Sequence, residues 1–347
     1  MAASPTPKPT SETRFQPHPA PAAGAVNPAL AGIDSLFPAS ARLLSPGVFI
    51  GIAYSGGADS TALLLAAVER WPGRVHALHI HHGLQAAADA FVRVCESVCA
   101  SVKVPLHVIR VDARHARGES PEDAARRARY AALSSAANEL GFKNVLLGQH
   151  ADDQVETLLL ALSRGAGLPG LSAMPERFER GGMIFYRPLL KIPAASLREW
   201  LVRQQIAFVD DPSNADERYT RNRIRTRLLP ALAHTFPHFR STFARSARHA
   251  AEAQAVLLEV GMQDLALVGS PPDIKTLQTL SRPRQANVLR HWLGQQNATP
   301  TAAQLEQLLL QIAACTTRGH QIHLKVAVGH VTRLGSGLRY SAAPRTR

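Results

Sequence analysis

Residues 48–60 read Val48-Phe49-Ile50-Gly51-Ile52-Ala53-Tyr54-Ser55-Gly56-Gly57-Ala58-Asp59-Ser60. Val48–Tyr54 is a short apolar run, the pattern of a buried strand. Ser55-Gly56-Gly57 ends it, and residues 60–70 (STALLLAAVER) read as a helix. Two adjacent glycines let the backbone come close to a ligand. The N–H groups at the start of the following helix favour an anion. Ser55 and Ser60 add hydroxyls, and Asp59 is a carboxylate placed where it can help hold Mg²⁺ beside phosphates. A Gly-rich turn capped by Asp or Ser would share parts of this pattern. The full hexad between a strand and a helix is more demanding. The G-x-x-x-x-G-K-[ST] loop is absent.

Outward from this loop, strands are expected at 75–80, 106–111 and 144–147. Helices are expected at 86–103, 121–140 and 152–163. Such alternation predicts an α/β fold, a Rossmann-like parallel sheet covered on both faces. Ligands then bind at the carboxyl ends of the strands. After 165 the alternation breaks into a Gly/Pro loop, Gly165 to Gly170. A helix is expected near 194–204, a loop through Asp210-Asp211-Pro212-Ser213-Asn214, and helical, basic sequence from about 218. Residues 322–340 alternate through Ile322, Leu324, Val326 and Val328, as in a terminal hairpin. The expected organisation is a flexible Pro/Ala-rich segment at 1–45, an α/β domain built around the phosphate loop at 46–236, and a smaller, mainly helical, basic domain at 237–347.

The 347 residues are 46% hydrophobic, enough for sizeable cores, and the net charge is +13. So basic a chain points to a polyanion, nucleic acid first. Cys95, Cys99 and Cys315 form no C-x-x-C pair, which argues against a disulfide framework or a four-cysteine zinc site. There is no apolar run of membrane-spanning length and no signal-peptide layout, so a cytoplasmic location is expected.

The hexad resembles the PP-loop of the ATP pyrophosphatase superfamily, whose members cleave ATP between the α- and β-phosphates. Three further segments narrow the resemblance. They are Leu78-His79-Ile80-His81-His82-Gly83-Leu84, Ser120-Pro121-Glu122-Asp123-Ala124-Ala125-Arg126-Arg127-Ala128-Arg129-Tyr130, and Gly148-Gln149-His150-Ala151-Asp152-Asp153-Gln154-Val155-Glu156-Thr157. With Arg187-Pro188-Leu189-Leu190, Asp210 to Asn214 and Tyr219-Thr220-Arg221-Asn222-Arg223-Ile224-Arg225, they resemble the tRNA(Ile)-lysidine synthetases in order and spacing. The resemblance is strong over about 48–235. It departs at Gln149, where the family usually has His. It departs also in length, since many members carry a further C-terminal domain.

Read without the resemblance, Pro121 with acids in the first turn is sound helix chemistry. Arg126 and Arg129 share a helix face, either as a solvated stripe or as cations facing phosphate. Asp152 fits as a helix cap. Asp153 and Glu156 share a face, and a carboxylate one turn inside a helix is not required for capping. What the resemblance implies is more specific. ATP lies on Ser55, Gly56, Gly57, Ala58, Asp59 and Ser60, with Mg²⁺ at Asp59. Asp153 and Glu156 take the ammonium of free L-lysine. Arg129 and Arg221 serve phosphate or RNA. The substrate is tRNA(Ile) with a CAU anticodon, whose wobble cytidine is adenylated and then lysinylated at C2. A homodimer is compatible with all of this.

Residues 218–250 hold eight arginines and no acid, and residues 318–347 hold six Lys or Arg and no acid. Both fit phosphate contact. Three rivals stand beside this reading. A tRNA cytidine thiolase would want reactive or cluster-binding cysteines. A small-molecule synthetase would leave the basic tail unexplained. A non-catalytic RNA-binding module would not need an intact Ser-Gly-Gly-x-Asp-Ser.

Overall fold

The computed structural model describes residues 26–38, 48–81, 87–111, 121–211, 216–317 and 319–342. The helices begin with α1 Pro28–Leu36, α2 Ala58–Arg70, α3 Ala87–Ser101, α4 Pro121–Glu139, α5 Ala151–Ser163, α6 Leu168–Leu171 and α7 Ala194–Arg203. They continue with α8 Thr220–Arg223, α9 Leu229–Thr235, α10 Phe239–Val268, α11 Ile274–Thr279, α12 Arg282–Gln295 and α13 Ala302–Ala314. The strands are β1 Ile50–Ala53, β2 Val75–His81, β3 Leu106–Arg110, β4 Asn144–Leu146, β5 Arg177–Arg180, β6 Met183–Tyr186, β7 His323–Val326, β8 Gly329–Leu334 and β9 Gly337–Ala342. The chain divides into two compact units, residues 1–166 with 173–247, and residues 167–172 with 248–347.

In the first unit the sheet order is β3-β2-β1-β4-β6-β5. All neighbours are parallel except the edge pair β5–β6. Successive strands run outward from β1 to β3, and the next, β4, returns to the other side of β1. The carboxyl ends of β1 and β4 therefore flank a topological switch point, where such sheets bind ligands. One face of the sheet packs Ile50, Ile52 and Leu146 against Ile33, Leu63, Cys95, Cys99 and Leu197. The other packs Val145, Leu147 and Phe185 against Tyr130 and Leu133 of α4. Each fully buried aliphatic side chain contributes roughly 1.5–3 kcal/mol.

The expected flexible segment at 1–45 is corrected at residues 28–37. Asn27 caps α1, accepting from Ala29 N–H, and its Nδ2 donates to Ala62 O at 2.8 Å. Ala29, Ile33 and Phe37 are buried in the sheet core. Proline enrichment masked a helical spacing of apolar residues in which Pro28 sits at the tolerated first position. Residues 1–25 and 39–45 lie outside the described residues.

The second unit gathers Leu277, Val288, Leu289, Trp292, Leu308, Val331 and Leu338 into its own core. Its sheet has the antiparallel order β7-β8-β9, three strands where a hairpin was expected. The third arises because Gly335, at φ +61°, turns the chain again after β8. Asp264 is fully buried and is held by Arg284, whose Nε donates at 3.1 Å.

Candidate active site

The hexad leaves β1 and enters α2 as the sequence implied. Gly56 has φ +83°, and a Cβ there would meet Cys95 Sγ at 2.9 Å, so both backbone and space require glycine. Gly57 is the α2 N-cap and has no side chain to accept from the first-turn amides. A bound anion is the natural acceptor for them. Ser60 Oγ lies 3.1 Å from Ser55 Oγ, accepts from Ser55 N–H at 3.2 Å and donates to Gly57 O at 3.0 Å. The two hydroxyls therefore set the loop's curvature. Val209 N–H donates to Gly56 O at 2.8 Å, bringing the 208–211 segment to the loop. There Asp210 pairs with Arg198, which stacks over Phe208.

From the β4 side comes Gly148, whose Cα sits so near the loop that a Cβ would meet Ser60 N at 3.2 Å. Next is His150, which proves to be the α5 N-cap in place of Asp152. His150 Nδ1 accepts from Asp153 N–H at 3.3 Å, and Asp153 Oδ2 accepts from His150 N–H at 3.1 Å. Asp152 instead accepts from Ala194 N–H at 3.0 Å and from Arg240 Nε at 2.7 Å. His150 Nε2 lies 3.6 Å from Asp59 and 3.4 Å from Asp153. Burial raises the Asp59 pKa, an effect opposed by His150 and reinforced by Asp153.

Asp153 and Glu156 do share one face, and Arg225 occupies it. Its Nε donates to Glu156 Oε1 at 2.7 Å, and Nη2 reaches Glu156 Oε2 at 3.0 Å and Asp153 Oδ1 at 3.1 Å. Arg221 Nε is 3.3 Å from Glu156 Oε2, and its Nη2 donates to Thr157 Oγ1 at 3.0 Å. Burial raises the Glu156 pKa, with Arg225 pulling the other way. Arg129 is exposed to solvent. Its pKa is lowered, first by desolvation, with Arg126 and Arg221 adding to the effect and Asp153 opposing it. The structure thus brings Asp59, Arg129, Asp153, Glu156 and Arg221 into one polar neighbourhood.

His79 is buried, with Nδ1 2.9 Å from Tyr54 O, so it supports the β1 end. His82, Gly83 and Leu84 lie outside the described residues, as do Ser120 and Pro212 to Asn214. Gln149, the departure from the family pattern, accepts from the buried Arg187 Nε at 3.2 Å; Arg187 also donates to Pro175 O at 2.8 Å and stacks over Phe178. Sequence reading singled out neither His150 nor Arg225 as a functional residue. Helical spacing gives no signal for Arg225, because residues 224–228 form a π turn and its acidic partners lie far off in sequence.

No single donor set among the described residues makes a protein-only cation site. One partly exposed carboxylate, Asp59, beside amide-rich phosphate space suits Mg²⁺, which binds through one or two carboxylates and the nucleotide's own phosphates.

A PP-loop domain model matches residues 40–232, and a TilS substrate binding domain model matches residues 273–334. A tRNA(Ile)-lysidine synthase from Polaromonas naphthalenivorans is 77% identical over 92% of this chain and 96% of its own. The chain belongs to the tRNA(Ile)-lysidine synthase family. The Bordetella pertussis member is 39% identical over 88% of this chain and 98% of its own. The Ralstonia nicotianae member is 43% identical over 81% of this chain but only 62% of its own, so longer members exist. Among solved structures, a U34-tRNA thiolase from Methanococcus maripaludis with its [4Fe-4S] cluster aligns at TM-score 0.54 and 13% identity. That alignment covers 65% of this chain and 78% of the thiolase. At that identity the likeness concerns the fold alone. The Ser55–Ser60 hexad lies within the residues that the PP-loop domain model matches.

Proposed function

We propose that this enzyme joins lysine to C2 of the wobble cytidine of tRNA(Ile) with a CAU anticodon, converting ATP to AMP and pyrophosphate. The observation that carries the reading is the polar path Asp59–His150–Asp153, continued to Glu156 through Arg225. It sets a carboxylate pair suited to an ammonium beside a loop suited to phosphates.

ATP lies with its phosphates on residues 55–60. Asp59 would hold Mg²⁺ together with those phosphates, and the ion would neutralise charge on the departing pyrophosphate. The cytidine C2 oxygen attacks the α-phosphate and pyrophosphate leaves. The lysine ammonium gives up a proton to the Asp153–Glu156 carboxylates, and the free ε-amine attacks C2 as AMP leaves. Arg129 and Arg221 lie on the side from which negative charge on the α-phosphate is stabilised. Asp153 and Glu156 orient the amine. The basic stretches 218–250 and 318–347 grip RNA phosphates. No helix among the described residues is long and apolar enough to cross a membrane, and we place the reaction in the cytoplasm. Either a monomer or a homodimer accommodates it.

The thiolase reading is the weaker one: Cys95, Cys99 and Cys315 are all buried. Burial pushes the Cys95 and Cys99 thiols up to about 12. The deciding experiment is ATP-dependent transfer of labelled lysine to tRNA(Ile) transcripts with a CAU anticodon, against a transcript whose wobble cytidine is replaced. Label on the first alone establishes amine and base. Its absence, with ATP still bound, sinks the reading.

A further inference from the structure

The carboxylates offered to lysine already carry a cation. Arg225 meets Glu156 through two nitrogens and reaches Asp153 with one of them. The Glu156 side chain is 0% exposed and the Arg225 side chain 35% exposed. The acid is therefore fixed inside, while its partner stands at the solvent side and can leave.

The backbone beneath Arg225 is unusual. Residues Ile224–Leu228 form a π-helical turn between α8 and α9, and Leu229 N–H donates to Ile224 O, five residues back. Pro230 explains it. Proline lacks an N–H to give to Thr226 O, and its ring crowds that carbonyl, so the turn widens by one residue. A π turn and an α turn of the same segment point a given side chain in different directions. This turn carries the Arg225 that meets Glu156 in the structure.

We propose that Arg225 is the resident counter-ion of the Asp153–Glu156 pair and that the ammonium of the incoming amine substrate displaces it. The inference rests on the assignment of that pair to lysine. Two consequences follow from charge alone. A neutral molecule makes the exchange poorly, because removing Arg225 without a replacement cation leaves the buried Glu156 carboxylate with Arg221 Nε, 3.3 Å away, as its remaining guanidinium partner. Water is therefore a poor occupant, and a nucleotide-activated cytidine waits for an ammonium. The exchange also frees a guanidinium beside the phosphates only when lysine is in place. Arg225 is a positioning and specificity residue, acting through the carboxylates.

The test is equilibrium binding of labelled L-lysine to the full chain with a non-hydrolysable ATP analogue, for the parent and Arg225→Gln. Removing the competitor is expected to tighten lysine binding about tenfold. With ATP and tRNA but no lysine, the variant should also release AMP several-fold faster, since water gains entry. Arg225→Lys, which keeps the charge on a single-point donor, should fall between, and it carries the test if the glutamine variant does not fold. Unchanged or weaker lysine binding in the folded variants overturns the proposal. Glu156→Gln is the separate control: if it leaves lysine affinity unchanged, the lysine site itself has been misassigned, whatever Arg225→Gln does.

Discussion

His150 Nε2 lies 3.6 Å from the carboxylate of Asp59, so the residue that starts α5 also touches the loop that starts α2. One imidazole thereby joins the phosphate side of the site to the amine side. Its two nitrogens separate the roles, since Nδ1 caps α5 and Nε2 faces the carboxylates. His150→Asn should keep a cap and lose the bridge. It is expected to melt near the parent while losing about 10- to 100-fold in lysine transfer. His150→Ala should lose activity similarly and also about 1 kcal/mol of stability. Equal melting of the two variants in thermal denaturation would count against the cap; an active His150→Asn, against the bridge.

Asp59 makes a pH argument possible. Burial raises its folded pKa above the ordinary 3.8. A carboxyl group raised on folding contributes stability that is complete below the unfolded value and lost as pH rises through the folded value. At neutral pH the ionised Asp59 therefore costs stability. Asp59→Asn should raise the melting temperature by a few degrees while abolishing ATP-dependent AMP formation. In the parent, the acid limb of activity should fall away above pH 3.8, because the carboxylate is the working form. A melting temperature lowered by Asp59→Asn would contradict this.

Much of this was legible before any coordinates. The strand–loop–helix reading of 48–70 needs only an apolar run, two glycines and a polar helix start. The position of Asp153 and Glu156 on one face needs only the helical period. Other features were not legible, each for a physical reason. The β5–β6 hairpin hides because its strands are four residues each and β5 is charged. Its trace in sequence is Gly181-Gly182, both at positive φ as a tight hairpin requires. Asp152 fits the α5 cap by residue type, but a ring nitrogen of His150 takes the role while tertiary partners claim Asp152. The pairing of Arg225 with Glu156 depends on a π turn, which helical periodicity does not encode.

Glu156 is expected to separate binding from folding. Glu156→Ala leaves two guanidinium groups facing a cavity and should cost on the order of 3–5 kcal/mol. Glu156→Gln keeps the shape and should raise the KM for lysine at least about tenfold with a smaller change in the KM for ATP. Steady-state kinetics in each substrate separates the two. A rise in the ATP KM alone would assign Glu156 to the nucleotide side.

The cysteines give the sharpest test between the ligase and a sulfur-transfer enzyme on the same fold. Cys95 touches the loop only as a packing neighbour of Gly56, and its thiol is 3.5 Å from His79 Nδ1. Burial keeps Cys95 and Cys99 protonated, with pKa values pushed up to about 12, so neither is poised as a nucleophile. Replacing all three cysteines, with Ala at Cys95 and Cys99 and Ser at Cys315, removes every thiol at the cost of small buried volumes, roughly 1 kcal/mol each. The variant should melt lower and still transfer lysine within about threefold of the parent rate when assayed well below its melting temperature. Loss of transfer in a folded triple variant would mean that sulfur takes part in the reaction.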